Sequence, residues 1–322
     1  MNSTSDNKIN LCFGGSTFLG VYQLGVAHSL YNNAQELLNN VEFYGGTSSG
    51  SIAAALLLLC PDRISDYMEA CRSIVDEIRY TGGIKMNDHP TLTERLRETL
   101  DRILPQDNGP LQDIATNRLF IASNRFQKRS SSFHLPMTLP WMDPHEWIRL
   151  GTTMGTTAID MFRNHFIDTS EDFSVATSNY ESRKNLIEVL SGSCYIPIWG
   201  GLSPPQHNGS CWMDTGLTNN IPTEDIFPGF SKTITVAPFL GDGIDIGPKV
   251  KNISNAVRVS SITTSYPVDW TAWNFMPLND ALLPQTWNRH MEYFRTGYED
   301  TLLYLKNGKV VRDEEQELCV CS

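Results

Sequence analysis

The sequence predicts a three-layer α/β fold around a parallel or mixed sheet, and two patterns support this prediction. First, a short apolar strand candidate at residues 9–13 runs into two glycines and then into a helix candidate at residues 19–30. The same order recurs at residues 41–44, a second pair of glycines and residues 51–60. Second, three further strand candidates, mostly rich in β-branched and aromatic residues, lie at residues 119–123, 173–177 and 233–237.

The remaining segments suggest how the chain is divided. Apolar residues recur at spacings of three and four over residues 62–80, which predicts an amphipathic helix on the core. Residues 127–172 are irregular, with a serine run and three prolines, and we interpret them as an insertion or lid. We expect a polar N-terminal tail, a main domain, and a C-terminal helical extension and tail, at residues 1–8, 9–250 and 251–322.

Composition excludes several classes of function. The chain has 322 residues, 40% of them hydrophobic, which suffices for one large domain with or without a small appendage. A net charge of −11 opposes binding to nucleic acid and electrostatic attraction to anionic membranes. The polar N-terminus lacks the apolar core of a secretory signal, so an intracellular location is expected. Seven scattered cysteines predict no disulfide framework.

The strongest chemical motif is the sequence GTSSG around Ser48, a Gly-x-Ser-x-Gly pattern. It lies between a strand candidate and a helix candidate, as a nucleophile elbow requires. Gly46 and Gly50 permit a turn too tight for a β-carbon, which exposes the Ser48 hydroxyl where the helix dipole favours negative charge. The alternative for the neighbouring serines is a plain structural role, because Ser49 and Ser51 occupy positions where serine commonly caps the helix.

A second glycine-bearing segment, residues 14–20, joins the first strand candidate to the first helix candidate. The backbone amides of such a loop can hold an oxyanion or a phosphate. A phosphate-binding P-loop needs Lys and then Ser or Thr after its last glycine, whereas Val21 and Tyr22 follow Gly20 here. The dinucleotide-binding fingerprint is missing as well, so the oxyanion interpretation is favoured.

A candidate carboxylate, Asp214, lies in the segment WMDTG. Taken alone, an Asp close to a glycine is most often a turn residue. A triad in the α/β-hydrolase order would place its histidine after this residue, and only His290 does so. It lies in a predicted helix, where a core or solvated histidine is commoner than a catalytic one. The other six histidines form no cluster with ligand spacing, so neither a metal nor another cofactor is expected.

Five blocks, in the same order, resemble the patatin-like phospholipase family, and within it the branch that contains adipose triglyceride lipase. They are FLGVY with LGVA, YGGTSSGS, SCYIP, the segment from Asp214 to Pro222, and TITVAPF. The resemblance covers roughly residues 8–100 and 179–248. It implies an α/β/α fold with a central mixed, mostly parallel sheet, in which residues 9–250 form the catalytic domain.

The resemblance also implies the roles of individual residues. It implies a catalytic dyad without histidine, in which Ser48 is the nucleophile and Asp214 is the base. It assigns the oxyanion hole to the backbone amides of Gly15, Ser16 and Thr17. The chain departs from the family at two points, since Thr17 replaces a usual glycine of the branch and Thr215 replaces the glycine that usually follows the aspartate. Both departures concern backbone conformation and leave the reacting groups in place.

These features predict a serine acyl hydrolase that cleaves lipid esters, triacylglycerol or phospholipid, through an acyl-enzyme. Two alternatives stay open: an acyltransferase or transacylase that acts on glycerolipids, and a catalytically weakened lipid-binding regulator. The expected location is cytoplasmic and peripheral to membranes or lipid droplets, and a protein activator is left open.

The C-terminal sequence CVCS is similar to a prenylation box with its lipid on Cys319. Cys321 replaces the usual aliphatic residue, and acidic rather than basic residues precede the box. Lipidation of Cys319 and a plain disordered tail therefore both stay open. Lipidation would supply the membrane or droplet anchor that the net charge does not.

Overall fold

The computed structural model describes residues 8–81, 90–126 and 174–196, shorter stretches between residues 200 and 248, residue 277, and residues 280–320. Side chains are described as far as Gly308 in the last of these ranges. The predicted insertion or lid at residues 127–172 lies outside the described residues, as does the aromatic stretch at residues 270–275.

Seven strands form one sheet in the described part of the chain. They are β1 (Ile9–Phe13), β2 (Val41–Thr47), β3 (Leu119–Phe126), β4 (Ser174–Thr177), β5 (Gln206–His207), β6 (Ser210–Met213) and β7 (Lys232–Val236). The order is β5-β6-β3-β2-β1-β7, with β4 also paired to β3. Strands β7, β1, β2 and β3 are mutually parallel, whereas β4 and β6 run antiparallel to β3. The predicted fold class, α/β/α with a mixed, mostly parallel sheet, is confirmed.

Eight α-helices have described bounds. They are α1 (Gly20–Asn33), α2 (Gln35–Asn39), α3 (Ser49–Leu59), α4 (Ile64–Tyr80), α5 (Leu92–Ile103), α6 (Asn108–Ala115), α7 (Arg183–Ser193) and α8 (Trp287–Val320). Short 3-10 turns at Thr17–Leu19 and Pro61–Arg63 lead into α1 and α4. Among these helices, none combines the length and the apolar character needed to cross a bilayer.

The structure extends two predicted strands, since β3 continues three residues past its predicted end, to Phe126, and β2 is also longer than predicted. Strand β2 continues to Thr47, through the two glycines at which the sequence pattern ends it. It does so because it lies in the interior of the sheet, where Gly46 pairs with Phe13 of β1 on one side and with Ile121 of β3 on the other. Ladder hydrogen bonds on both edges hold the glycines extended despite their low strand propensity. The turn to α3 is consequently displaced to Ser48.

The hydrophobic core lies on both faces of the sheet. On one face, β1, β2, β3 and β7 pack against several helices, including α1, α3 and α7. On the other face, Phe43 and Phe120 meet Phe227 of a connecting segment, with ring centroids 5.3 to 6.2 Å apart. Helix α3 is one of the most deeply buried helices, since eight of its eleven residues are buried, and this explains the continuous apolar run that follows Ser51.

The C-terminal helix α8 packs directly on α1. A β-carbon at Gly25 of α1 would overlap the carbonyl oxygen of Phe294, and one at Gly297 of α8 would overlap that of Tyr22. The two helix backbones are thus in contact at this crossing. The Tyr22 hydroxyl also donates a hydrogen bond of 2.6 Å to the Asp300 carboxylate. Helix α8 therefore shares the core of α1, although the sequence divides it from the main domain at residue 250.

We expect Gly297→Ala to destabilise the fold, because the added methyl group meets a backbone carbonyl that cannot move independently of its helix. The expected loss in the free energy of unfolding is about 1–3 kcal/mol, measured by urea denaturation. Gly308→Ala is the matched control in the same helix, since nothing lies within 4 Å of its β-carbon position. Its higher helix propensity should leave stability unchanged or raise it by up to about 1 kcal/mol. Equal effects of both substitutions would contradict this crossing.

Candidate functional site

The candidate site lies at the carboxyl ends of the parallel strands. Phe13 ends β1 beside Gly46 of β2, and Thr47 ends β2 beside Ala122 of β3. The connections that follow β1 and β2 therefore leave the sheet at one edge, which is where open α/β sheets bind ligands. These connections are the glycine-bearing loop and the GTSSG turn.

Ser48 occupies the sharp turn between β2 and α3. Its backbone torsions are φ 53° and ψ −131°, a strained combination for a residue with a β-carbon. The turn requires both motif glycines: a β-carbon at Gly46 would lie 2.7 Å from the Gly50 carbonyl carbon, and one at Gly50 would overlap the carbonyl oxygen of Phe13. The Ser48 side chain makes no capping hydrogen bond to α3. This is the backbone geometry that the GTSSG pattern predicts.

Hydrogen bonds hold both peptide groups of Ser48. Its amide donates to the hydroxyl of Ser193, at 2.8 Å, and its carbonyl accepts from the Ser51 hydroxyl, at 2.6 Å. The Ser51 amide donates to the same carbonyl, at 2.9 Å. Ser51 thus stabilises the turn. The Ser49 hydroxyl instead points towards the glycine-bearing loop, where it accepts a hydrogen bond from the Ser16 amide.

The glycine-bearing loop lies against Ser48. A β-carbon at Gly15 would be 3.1 Å from the Ser48 β-carbon, so a glycine is needed for this approach. The Gly15 amide donates to the Asn220 carbonyl at 3.3 Å, and the Ser16 amide donates to the Ser49 hydroxyl at 3.1 Å. The Thr17 amide has no hydrogen-bond partner among the residues that the structure describes. Two of the three predicted oxyanion donors therefore have partners within the protein.

Thr17 has a positive φ of 49°, which L-residues adopt at an energetic cost. This is the position where the resembling branch usually has a glycine. The threonine therefore takes a positive φ that a glycine would take more easily.

A buried glutamine, Gln23, holds the glycine-bearing loop through two hydrogen bonds. The Gln23 side chain is fully buried in α1; its amide nitrogen donates to the Gly14 carbonyl at 2.6 Å, and its amide oxygen accepts from the Ser16 hydroxyl at 2.9 Å. Sequence reasoning did not select Gln23. The sequence does contain one sign of its role, a single amide side chain inside an otherwise apolar stretch of α1. Burial of such a polar group costs little free energy only when it is hydrogen-bonded.

Asp214 follows β6 and is 3% exposed. Its amide donates to the Tyr195 carbonyl at 3.0 Å, and its carbonyl accepts from the buried Asn124 side chain at 3.1 Å. Strand register brings its segment towards the nucleophile, because Met213 pairs with Asn124 of β3, two residues beyond Ala122, the partner of Thr47.

The pKa of the Cys194 thiol reflects residues from both candidate catalytic segments. Burial raises the pKa of this thiol well above its usual range, and the nearby Asp214 carboxylate raises it further. Hydrogen bonds with Ser48 and Ser51 act in the opposite direction on the same pKa. The thiol therefore lies near both the Ser48 turn and Asp214.

Comparison with known proteins matches residues 11–227 to the family model of patatin-like phospholipases, and this range contains the elbow, the glycine-bearing loop and Asp214. The chain belongs to the patatin-like phospholipase family. The expected membership is confirmed.

Several relatives of this patatin-like chain cover nearly all of it. The human patatin-like phospholipase domain-containing protein 4 is 27% identical and aligns over 92% of this chain and 96% of its own length. The human omega-hydroxyceramide transacylase is 24% identical over 95% of this chain, and the mouse 1-acylglycerol-3-phosphate O-acyltransferase Pnpla3 is 24% identical over 97%. The chain spans only 47% and 62% of the lengths of these two relatives.

His290, the one histidine in the right order for a triad, lies in α8 and is fully buried. Burial lowers its pKa to about 4, while charges on Asp280, Arg79 and Asp76 make smaller contributions to that pKa. Neither of its ring nitrogens has a hydrogen-bond partner within the described part of this patatin-like chain. Within the described residues, His290 therefore makes no hydrogen bond to Ser48 or to Asp214.

The buried, neutral His290 should make the fold acid-sensitive. Its pKa lies near 4 in the folded chain and near 6.5 when unfolded, so its contribution to stability is complete above about pH 6.5 and is lost as the pH falls towards 4. Between pH 7.5 and pH 5, we expect a loss of about 2 kcal/mol from this residue, measured by urea denaturation. His290→Leu should reduce the pH dependence by that amount. An unchanged pH dependence in the variant would contradict a neutral, buried imidazole.

Proposed function

We propose that this patatin-like protein is a serine acyl hydrolase that cleaves lipid esters, triacylglycerol or phospholipid, through a Ser48–Asp214 dyad. The observation that carries the proposal is the strained Ser48 turn, which lies against the glycine-bearing loop and, like Asp214, is hydrogen-bonded to the segment at the end of α7. Strain of this kind persists where the surrounding structure over-determines it, and such places are characteristically active sites.

In the proposed reaction, the Asp214 carboxylate accepts the Ser48 hydroxyl proton as the serine oxygen attacks the ester carbonyl. The carbon–oxygen bond to the alcohol then breaks, and the alcohol leaves with that proton. Water attacks the resulting acyl-enzyme with Asp214 again as base, which releases the fatty acid and restores the serine. Both groups are almost completely buried, so bulk water competes little with either proton transfer.

The developing oxyanion is proposed to bind to the amides of Gly15, Ser16 and Thr17. The Thr17 amide supports this assignment most directly, since it has no partner among the described residues. The Gly15 amide is the next candidate donor, because its hydrogen bond to the Asn220 carbonyl is long, at 3.3 Å, and can be exchanged for one to a charged acceptor. The start of α3 adds a favourable dipole at the same point.

The proposed substrates partition into membranes and lipid droplets, so we place the enzyme in the cytoplasm at the surface of one of these. Of the two alternatives for the C-terminal sequence, lipidation of Cys319 fits this proposal, because a lipid chain there would supply a surface attraction that the net charge of −11 does not provide. The structure gives no account of the Cys319 side chain.

A fluorophosphonate probe tests the dyad. The wild-type protein should be labelled at Ser48, and Ser48→Ala should not be labelled. Asp214→Asn should fold normally and lose activity towards a lipid ester by on the order of 10³-fold, because the amide cannot accept the serine proton. Asp245→Asn is the control for loss of a hydrogen-bonded carboxylate, since Asp245 accepts from Thr235 and takes no part in the proposed chemistry.

Near-normal hydrolysis by a folded Asp214→Asn variant would show that the base lies elsewhere. A wild-type protein that is folded but neither labelled nor active would instead favour the lipid-binding regulator. The two results separate an error in one residue from an error in the class of function.

Acyl transfer is the second candidate function, and the names of two relatives, a transacylase and an acyltransferase, favour it. The same acyl-enzyme would then be attacked by a glycerolipid hydroxyl in place of water. With a labelled acyl ester and added diacylglycerol, we expect most of the label in free fatty acid. Label recovered mainly in the acylated acceptor would contradict the hydrolase and establish the transferase.

A further inference from the structure

The last residue of α7, Ser193, links the nucleophile to the central strand β3. Its side chain is fully buried, and its hydroxyl accepts the hydrogen bond from the Ser48 amide at 2.8 Å. The same hydroxyl donates to the Ala122 carbonyl at 2.7 Å. A single side chain, distant in sequence from Ser48, therefore connects the nucleophile's backbone to the sheet.

This contact matters because the Ser48 backbone is strained. A residue with φ 53° and ψ −131° is strained and relaxes unless its neighbours hold it. Its amide is at the start of α3, where no helical acceptor is available. Without the Ser193 hydroxyl, this buried N–H group would have no acceptor, and rotation of the turn would be one route to a new one.

The same segment also holds the proposed base. The carbonyl of Tyr195, two residues after Ser193, accepts from the Asp214 amide at 3.0 Å. Asn124, two residues after Ala122 on β3, donates to the Asp214 carbonyl at 3.1 Å. The end of α7 and the end of β3 therefore fix the backbones of both members of the dyad relative to one another.

We propose that Ser193 is a positioning residue, whose hydroxyl holds the Ser48 backbone at the angle and distance that proton transfer to Asp214 requires. This inference rests on the proposed function, since it assigns a catalytic consequence to a contact of the nucleophile. Ser193 itself touches neither the substrate nor the transferred proton.

Ser191 provides a matched control. It lies in the same helix, is also fully buried, and its hydroxyl donates to the Ile187 carbonyl at 2.7 Å. Replacing either serine by alanine removes one buried hydroxyl and one hydrogen bond to a carbonyl. Only Ser193→Ala also removes the acceptor of the Ser48 amide, so the difference between the two variants isolates that contact.

The test compares Ser193→Ala, Ser193→Thr and Ser191→Ala with the wild type, using a soluble p-nitrophenyl ester and the rate of fluorophosphonate labelling. We expect kcat and the labelling rate of Ser193→Ala to fall about 10- to 100-fold, with KM within about twofold of the wild type. Ser191→Ala should keep the wild-type kcat. Ser193→Thr retains a hydroxyl and should recover most of the lost kcat. Urea denaturation of each variant verifies that the measured protein is folded.

A wild-type kcat in folded Ser193→Ala, or an equal loss in Ser191→Ala, would overturn the positioning role while leaving the hydrolase intact. A wild type that is neither labelled nor active would overturn the proposed function first and this inference with it.

If Ser193→Ala does not fold, Ser193→Cys replaces it, because a thiol accepts hydrogen bonds weakly. Its kcat should then lie below that of Ser193→Thr, and equal values would overturn the inference.

Discussion

The candidate site depends on one contact, the approach of the GTSSG turn to the end of β1. Gly50 lies directly against the carbonyl oxygens of Phe13 and Gly14, and no residue with a β-carbon fits between them. This contact sets where α3 begins, and hence where Ser48 lies relative to the loop that follows β1. The strain in the Ser48 backbone is the local cost of that arrangement, and the hydrogen bonds from Ser51 and to Ser193 offset it.

Two further sets of contacts connect the site to the rest of the molecule. Gln23 ties the glycine-bearing loop to α1, and α1 in turn is in backbone contact with α8 through Gly25 and Gly297. A chain of direct contacts thus runs from the C-terminal helix to the loop beside Ser48. On the other side, α7 and β3 hold Ser48 and Asp214 by backbone hydrogen bonds that do not involve the reacting atoms. The site is supported from both directions by buried polar contacts.

Much of this was predictable from local sequence patterns. The first strand, the helix after the elbow and the amphipathic α4 follow from hydrophobic periodicity, and the turn at Ser48 follows from its two glycines. Asp214 could be selected only through the family resemblance, because a single aspartate near a glycine carries no local signal. Its position depends on the register between β6 and β3, which is a property of the sheet.

The supporting residues could not be predicted, and the reason is physical. Ser193, Asn124 and Gln23 act through hydrogen bonds to backbone groups that lie far away in sequence or in another element. No spacing rule links a serine at the end of one helix to a peptide group 145 residues earlier. Likewise, local patterns end β2 too early, because pairing on both edges of a strand overrides the local preference of glycine for turns.

A crystal structure of the protein after reaction with a fluorophosphonate would examine the dyad and the oxyanion loop together. We expect a phosphonyl group bonded to the Ser48 oxygen, its phosphoryl oxygen 2.7–3.1 Å from amide nitrogens of the Gly15–Thr17 segment, and the Asp214 carboxylate within hydrogen-bond distance of the Ser48 oxygen. An adduct on another residue, or an Asp214 side chain directed away from Ser48, would contradict the proposed mechanism.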